Sequence, residues 1–310
     1  MPTLKASRRI FLRNAVLTAL APSARGQQPP AANVHVDAHV HVWTPDTKSY
    51  PLADGFTKEK NMVPPSFTPE ELFAQCRPSG VGKIVLIQMN FYRFDNSYML
   101  DSMAAHPGVF SGVAVVDESQ ADLGDTMKRL AAKGVRGFRL SATRVPVETW
   151  TTSSGMKAMW TLAADTGLAM CPLIIPNSLP GVLRMCRDFP KTRVVIDHFA
   201  RVGQDWTTQP ADLDSLCRLA DFENVHVKTS AFYNLGAKKA PYTDLGPMIR
   251  RLRDAFGAQR LMWATDCPFQ LQNGHTYSDS IALIRDRLDF LSDDDKSWML
   301  RKTAEKIFFS

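Results

Sequence analysis

From about residue 33 onward, short apolar runs alternate with longer stretches whose apolar positions recur at helical spacing. The short runs are rich in β-branched residues and read as strands over 33–42, 83–89, 110–116, 134–140, 167–175, 193–198, 225–230 and 260–266. Between them, "DLGDTMKRLAAK", "SSGMKAMWTLAADT" and "YTDLGPMIRRLRDAF" keep one apolar face, as amphipathic helices do. A further helix start is written in "FTPEELF", with Thr68 as N-cap, Pro69 at the first helical position and Glu71 three after the cap. Strands of near-continuous apolar character suit a parallel sheet covered on both faces. Eight such units over roughly 280 residues predict an α/β protein built as a single (β/α)8 TIM barrel. A doubly wound sheet is the alternative. It would carry a Gly-rich phosphate turn after the first strand, where this chain has "WTPDTKSYPL".

The first 32 residues stand apart from this rhythm. They hold Lys5, Arg8, Arg9, Arg13 and Arg25 and no acid, so the formal charge of +6 falls to +1 without them. A near-neutral body excludes nucleic acid as a partner. "SRRIFLR", then "AVLTALA", then the small, Pro-rich "PSARGQQPPAA" give a basic segment, a short apolar run and a cleavage zone. The paired arginines followed by Phe11-Leu12 resemble a twin-arginine signal. The expectation is export by the twin-arginine machinery to a bacterial periplasm, with residues 1–32 as signal and 33–310 as the barrel. The apolar run is too short to span a bilayer, so no stable membrane anchor is expected. Cys76, Cys171, Cys186, Cys217 and Cys267 are scattered, show no C-x-x-C pair and read as buried thiols.

The chemistry sits where a barrel places it, at the carboxyl ends of strands. In "VDAHVHVWTPD" (Val36 to Asp46), His39 and His41 share one strand face, because successive side chains alternate. Arg139 and Arg144 lie at and beyond the end of the fourth strand in "RGFRLSATR". Asp197, His198 and Arg201 follow the sixth in "VVIDHFAR". Lys228 lies late in the seventh, and Asp266 ends the eighth in "WATDCPF". A lone histidine pair on a strand is more often core than ligand. Histidines, arginines and a carboxylate gathered on one barrel face are not what a satisfied core predicts.

These motifs together resemble the amidohydrolase superfamily, and within it the hydrolases that include 2-pyrone-4,6-dicarboxylate lactonase and the sugar-acid lactonases. The resemblance covers the whole chain after the signal. It implies that His39, His41, His198 and Asp266 surround the reacting carbonyl, with Asp266 as general base on the attacking water and His198 beside it. It also implies that Arg139, Arg144, Arg201 and Lys228 bind a small anionic substrate. Many superfamily members add a metal-binding histidine at the end of the fifth strand, where this chain has "MCPLIIP". That leaves His39, His41 and Asp266, with His198 as a fourth candidate, as ligands for one divalent metal, zinc by expectation, with catalysis free of metal as the other outcome. The expected activity is opening of a lactone or related cyclic ester of a carboxylate-bearing or sugar-acid substrate. The alternatives are a metal-dependent decarboxylase of an unsaturated or aromatic acid, and a non-catalytic periplasmic anion-binding protein.

Overall fold

The computed structural model describes residues 35–310. The segment read as an export signal lies outside the described residues. Eight strands form one parallel sheet in sequence order. They are β1 (His35–Val40), β2 (Val81–Ile87), β3 (Phe110–Ala114), β4 (Val135–Ser141), β5 (Ala169–Leu173), β6 (Arg193–Ile196), β7 (Val225–Thr229) and β8 (Leu261–Trp263). A parallel bridge from Val40 to Cys267 joins the last strand's continuation to the first and closes a (β/α)8 barrel. The doubly wound alternative is thereby set aside.

The local signals act as expected of them. Thr68 and Glu71 form a reciprocal capping box on the helix Pro69–Cys76. Ser153 caps the helix Ser154–Thr166, which stops at Gly167 in the left-handed region (φ +71°). Inside the barrel, Val36, Ala38, Val85, Ile87, Val195 and Met262 pack together, and the C-terminal helix Thr303–Phe308 joins them through Ala304, Ile307 and Phe308. The helices cover the outer face through a larger cluster that includes Trp43, Trp150, Trp160 and Trp263. All five cysteines are buried and free. No helix among the described residues is long and apolar enough to cross a membrane.

The first two strands do not run in even register. Asp37 pairs with Ile84 and Val40 with Leu86, so β1 takes three steps where β2 takes two. This bulge carries one extra residue and re-aims the side chains beyond it. Val36 and Ala38 face the interior before it; His39 and His41 do so after it.

His226, in β7, illustrates the cost of burying an ionisable ring away from any acid. Burial, with Arg193, Arg260 and Lys306 nearby, takes its pKa down to about 4. The unfolded chain binds this proton below its ordinary value near 6.5 and the folded chain does not, so this group's stabilising contribution is full above that value. It is lost as pH falls toward 4. His226→Gln is therefore expected to flatten the acid limb of stability against pH, read by urea unfolding at pH 7 and pH 4.5. An unchanged slope would remove His226 as its cause.

Candidate active site

Three histidines and one carboxylate converge at the carboxyl end of the barrel. His39 and His41 arrive from β1, His198 from the turn after β6, and Asp266 from the segment after β8. Oδ1 of Asp266 lies 3.2 Å from Nε2 of His41, 3.4 Å from Nε2 of His39 and 3.8 Å from Nε2 of His198. The Nε2 atoms of His39 and His41 are 3.3 Å apart. The backbone fixes this arrangement: the Asp266 amide donates to the His39 carbonyl at 2.9 Å, and the His41 amide to the Cys267 carbonyl at 2.8 Å. The seam that closes the barrel and the scaffold of the site are the same bonds.

The backbone is also strained here. His198, Phe199, Ala200 and Arg201 have φ of 51°, 55°, 53° and 58°, four left-handed L-residues in a row, and Asp266 has φ 69°. Each such residue costs roughly 1–2 kcal/mol, so the surroundings have to enforce the conformation. Phe199 and Ala200 are fully buried, and the Asp197 amide donates to the Pro172 carbonyl at 3.1 Å. The turn places His198 over the site and Arg201 on the cavity wall beside it.

Protonation states follow from the contacts. Nδ1 of His41 faces the Ile87 carbonyl at 2.8 Å and must donate to it, which turns Nε2 toward Asp266. Nδ1 of His198 pairs with the Ser230 hydroxyl at 2.8 Å. Nδ1 of His39 lies 3.1 Å from the Lys228 ammonium and 3.3 Å from Asp197. Burial, reinforced by Lys228, holds His39 well below the ordinary imidazole range, and burial takes His198 down to about 4. Burial alone would raise Asp266, but the facing histidines, His198 foremost, outweigh it and hold the carboxyl below its usual range. Its second oxygen accepts the Tyr233 hydroxyl at 2.7 Å. At neutral pH the site therefore sets an ionised Asp266 against the neutral imidazoles of His39 and His198.

That is the state a metal requires of its ligands. Nε2 of His41 and Nε2 of His39 both face the ionised Asp266 Oδ1, at 3.2 and 3.4 Å, so nitrogen and oxygen donors meet at one point. Ligand atoms about 2.0–2.1 Å from a zinc at tetrahedral angles stand roughly 3.3–3.4 Å apart. Asp266 Oδ1 stands 3.2 and 3.4 Å from Nε2 of His41 and His39, close to that spacing, and 3.8 Å from Nε2 of His198, slightly wider. His39, His198 and Asp266 form a group whose ligand atoms all lie within 4.8 Å of one another. The donor set fits one divalent metal.

A cavity of about 770 Å³ opens beside the cluster and is lined by His41, Arg139, Arg144 and Arg201 among others. Nε of Arg139 is buried without a hydrogen-bond partner, 3.6 Å from Asp197. The Arg201 guanidinium makes no ion pair or hydrogen bond among the described residues. Arg144 is paired with Glu118.

The amidohydrolase family profile matches residues 36–309, nearly every described residue. The chain belongs to the amidohydrolase family. An L-fucono-1,5-lactonase of Burkholderia ambifaria is 28% identical over 246 residues, covering 77% of this chain and 82% of that protein. A 2-pyrone-4,6-dicarboxylate hydrolase of Comamonas testosteroni is 26% identical over 258 residues, covering 79% and 80%. Among solved structures, an amidohydrolase of Burkholderia multivorans with bound zinc superposes with a TM-score of 0.74 at 18% identity, covering 89% of this chain and 99% of that one.

Within this amidohydrolase barrel, the sequence-derived residues divide by depth. His39, His41, His198 and Asp266 meet, and Arg139, Arg144 and Arg201 line the cavity. Lys228 differs from its expected role as a substrate contact. It is fully buried, its Nζ 3.0 Å from Asp197 and 3.1 Å from His39, and it does not line the cavity. The reason is its layer: Lys228 pairs with the interior residue Met262, whereas Ser230, two residues further along, reaches His198. Asp197 is the partner that Lys228 serves. Burial pushes its carboxyl up, but Lys228, His39 and Arg139 together hold it well below the usual range. Sequence reading misses Tyr233, which holds Asp266, and Arg93 on the cavity wall. The only signal for Tyr233 is its place just past the end of β7, in "VKTSAFYN".

Proposed function

We propose that the chain opens a lactone ring by water attack, with Asp266 as general base. The observation that carries this reading is a carboxylate ringed by three imidazoles beside a cavity with arginines on its wall. The lactonases among its relatives support the same chemistry. Asp266 Oδ1 accepts a proton from the attacking water and returns it to the leaving alkoxide oxygen, while Tyr233 holds Oδ2 so that Oδ1 faces the reacting centre. Arg139 and Arg201 receive the carboxylate of the substrate, and Arg144 adds positive potential from its pair with Glu118. His39, His41, His198 and Asp266 would hold a divalent ion. When bound, the ion supplies Lewis acidity that polarises the lactone carbonyl and acidifies the water. The same reading keeps residues 1–32 as a twin-arginine export signal and places the enzyme in the periplasm.

Assay of carboxylate-bearing lactones, with metal content measured in parallel, tests both parts. Hydrolysis should depend on close to one metal per chain, disappear on chelation and return with zinc. His41→Ala should lose metal and activity together. Full activity in metal-free protein would overturn the metal part alone, leaving the imidazoles as carbonyl donors. Failure to open any lactone would overturn the function.

A further inference from the structure

The cavity beyond the arginines has a composition that the lactone reading does not itself require. Its wall carries Phe56, Met89, Phe94, Leu173, Ile175 and Phe269. Phe94 and Ile175 remain 39% and 44% exposed, two of only four large apolar side chains that the described residues leave in water. The neutral polar groups on the wall are mostly committed elsewhere. Ser141 and Thr143 bond each other at 2.8 Å, and the Gln88 amide donates to the carbonyls of Arg93 and Asp95. Asn90 and Ser178 are the neutral polar side chains left over. Two guanidinium groups lie over rings of this wall, Arg144 at 5.4 Å from Phe94 and Arg93 at 5.7 Å from Phe56.

A polyol lactone needs a donor or acceptor for each hydroxyl it buries, and unpaired hydroxyls are costly. Beyond its arginines, His41, Asn90 and Ser178, this wall offers few, and its acceptors are scarcer still. The volume, about 770 Å³, lies in the upper part of the range that holds drug-sized ligands, so a single small ring would leave much of it to water. We infer that the substrate of this site is a lactone carboxylate bearing an apolar substituent about the size of a phenyl ring, seated between Phe94 and Ile175. The inference rests on the lactonase reading for the reaction, and on the wall alone for the substituent. Arg139 and Arg201 take the anion, the imidazole cluster takes the ring carbonyl, and the substituent covers apolar surface now in water.

The test compares a phenyl-bearing γ-lactone carboxylate, the same compound without the phenyl group, and a sugar-acid lactone, on zinc-loaded enzyme. The phenyl compound should exceed the unsubstituted one by about 10–100-fold in kcat/KM, the scale of burying one ring. Ile175→Ser should erode that ratio through KM while leaving the unsubstituted substrate unchanged, and Phe94→Ser, which also uncovers Arg144, should lower the ratio further than it lowers the unsubstituted rate. Preference for the sugar-acid lactone, or equal losses on both carboxylates in the variants, would overturn the inference. If no lactone is opened, the reaction assignment fails by itself. Calorimetric binding of the phenyl-bearing hydroxy acid against its unsubstituted counterpart then decides the wall, and equal affinities would overturn it.

Discussion

Asp266→Asn should lower kcat by ~10²–10⁴-fold, the usual weight of a general base, with zinc in excess. Asparagine suits the experiment because the position has φ 69°, and Asn shares with Asp an unusual tolerance of the left-handed region. The amide can still accept the Tyr233 hydroxyl, so the side chain keeps its anchor while losing its charge and its capacity to take a proton. Affinity for the ring-opened acid, which the proposed function assigns to Arg139 and Arg201, should change by no more than a few-fold. Metal content measured on the same sample separates loss of the base from loss of a ligand. Turnover near wild type in the metal-loaded variant would exclude Asp266 from proton transfer.

Lys228→Met should produce the largest loss of stability among the site variants. Lys228 and Asp197 are both fully buried, 3.0 Å apart, and methionine removes the charge while roughly keeping the volume. What remains is a buried carboxylate with Arg139 at 3.6 Å and a neutral imidazole. Breaking such a pair from one side costs about 3–5 kcal/mol, because the surviving charge keeps its desolvation penalty. Urea unfolding should show a lower midpoint at unchanged slope. Adding Asp197→Asn to Lys228→Met should restore part of the loss, since the stranded charge is then gone. A single-variant loss below about 1 kcal/mol would show that Arg139 alone satisfies Asp197.

These two residues also mark how far the sequence can be read. All eight strands are visible because each is a short, mainly apolar run between helical stretches, even β5 and β8, which hold no β-branched residue. The shared facing of His39 and His41 follows from strand alternation alone, although the bulge that aims them inward leaves no trace. Lys228 looks like a substrate contact because a cation near a strand end usually is one. Its partner Asp197 is on the neighbouring strand's exit, and depth along a barrel axis cannot be read from composition. The four left-handed residues at His198–Arg201 carry no glycine and no asparagine to announce them. Their conformation is imposed by burial of Phe199 and Ala200, which is a property of the assembled fold. Tyr233 is invisible for a related reason: a loop tyrosine gains meaning only from the carboxylate opposite.

The junction of β8 with β1 is the thinnest part of the barrel wall. β8 has three residues, and its continuation meets β1 through a single bridge, two amide bonds and the Asp37 carboxylate, which accepts from Thr265 and Tyr277. Fluctuations that part this junction separate Asp266 from the histidine pair while the seven other strand pairings stay intact. Inactivation is then expected as a sub-global event: activity should be lost at denaturant concentrations that leave the circular dichroism unchanged. His39, His41 and Asp266, holding a divalent ion together, would clasp this opening, and resistance to inactivation would then rise with the logarithm of the ion's concentration.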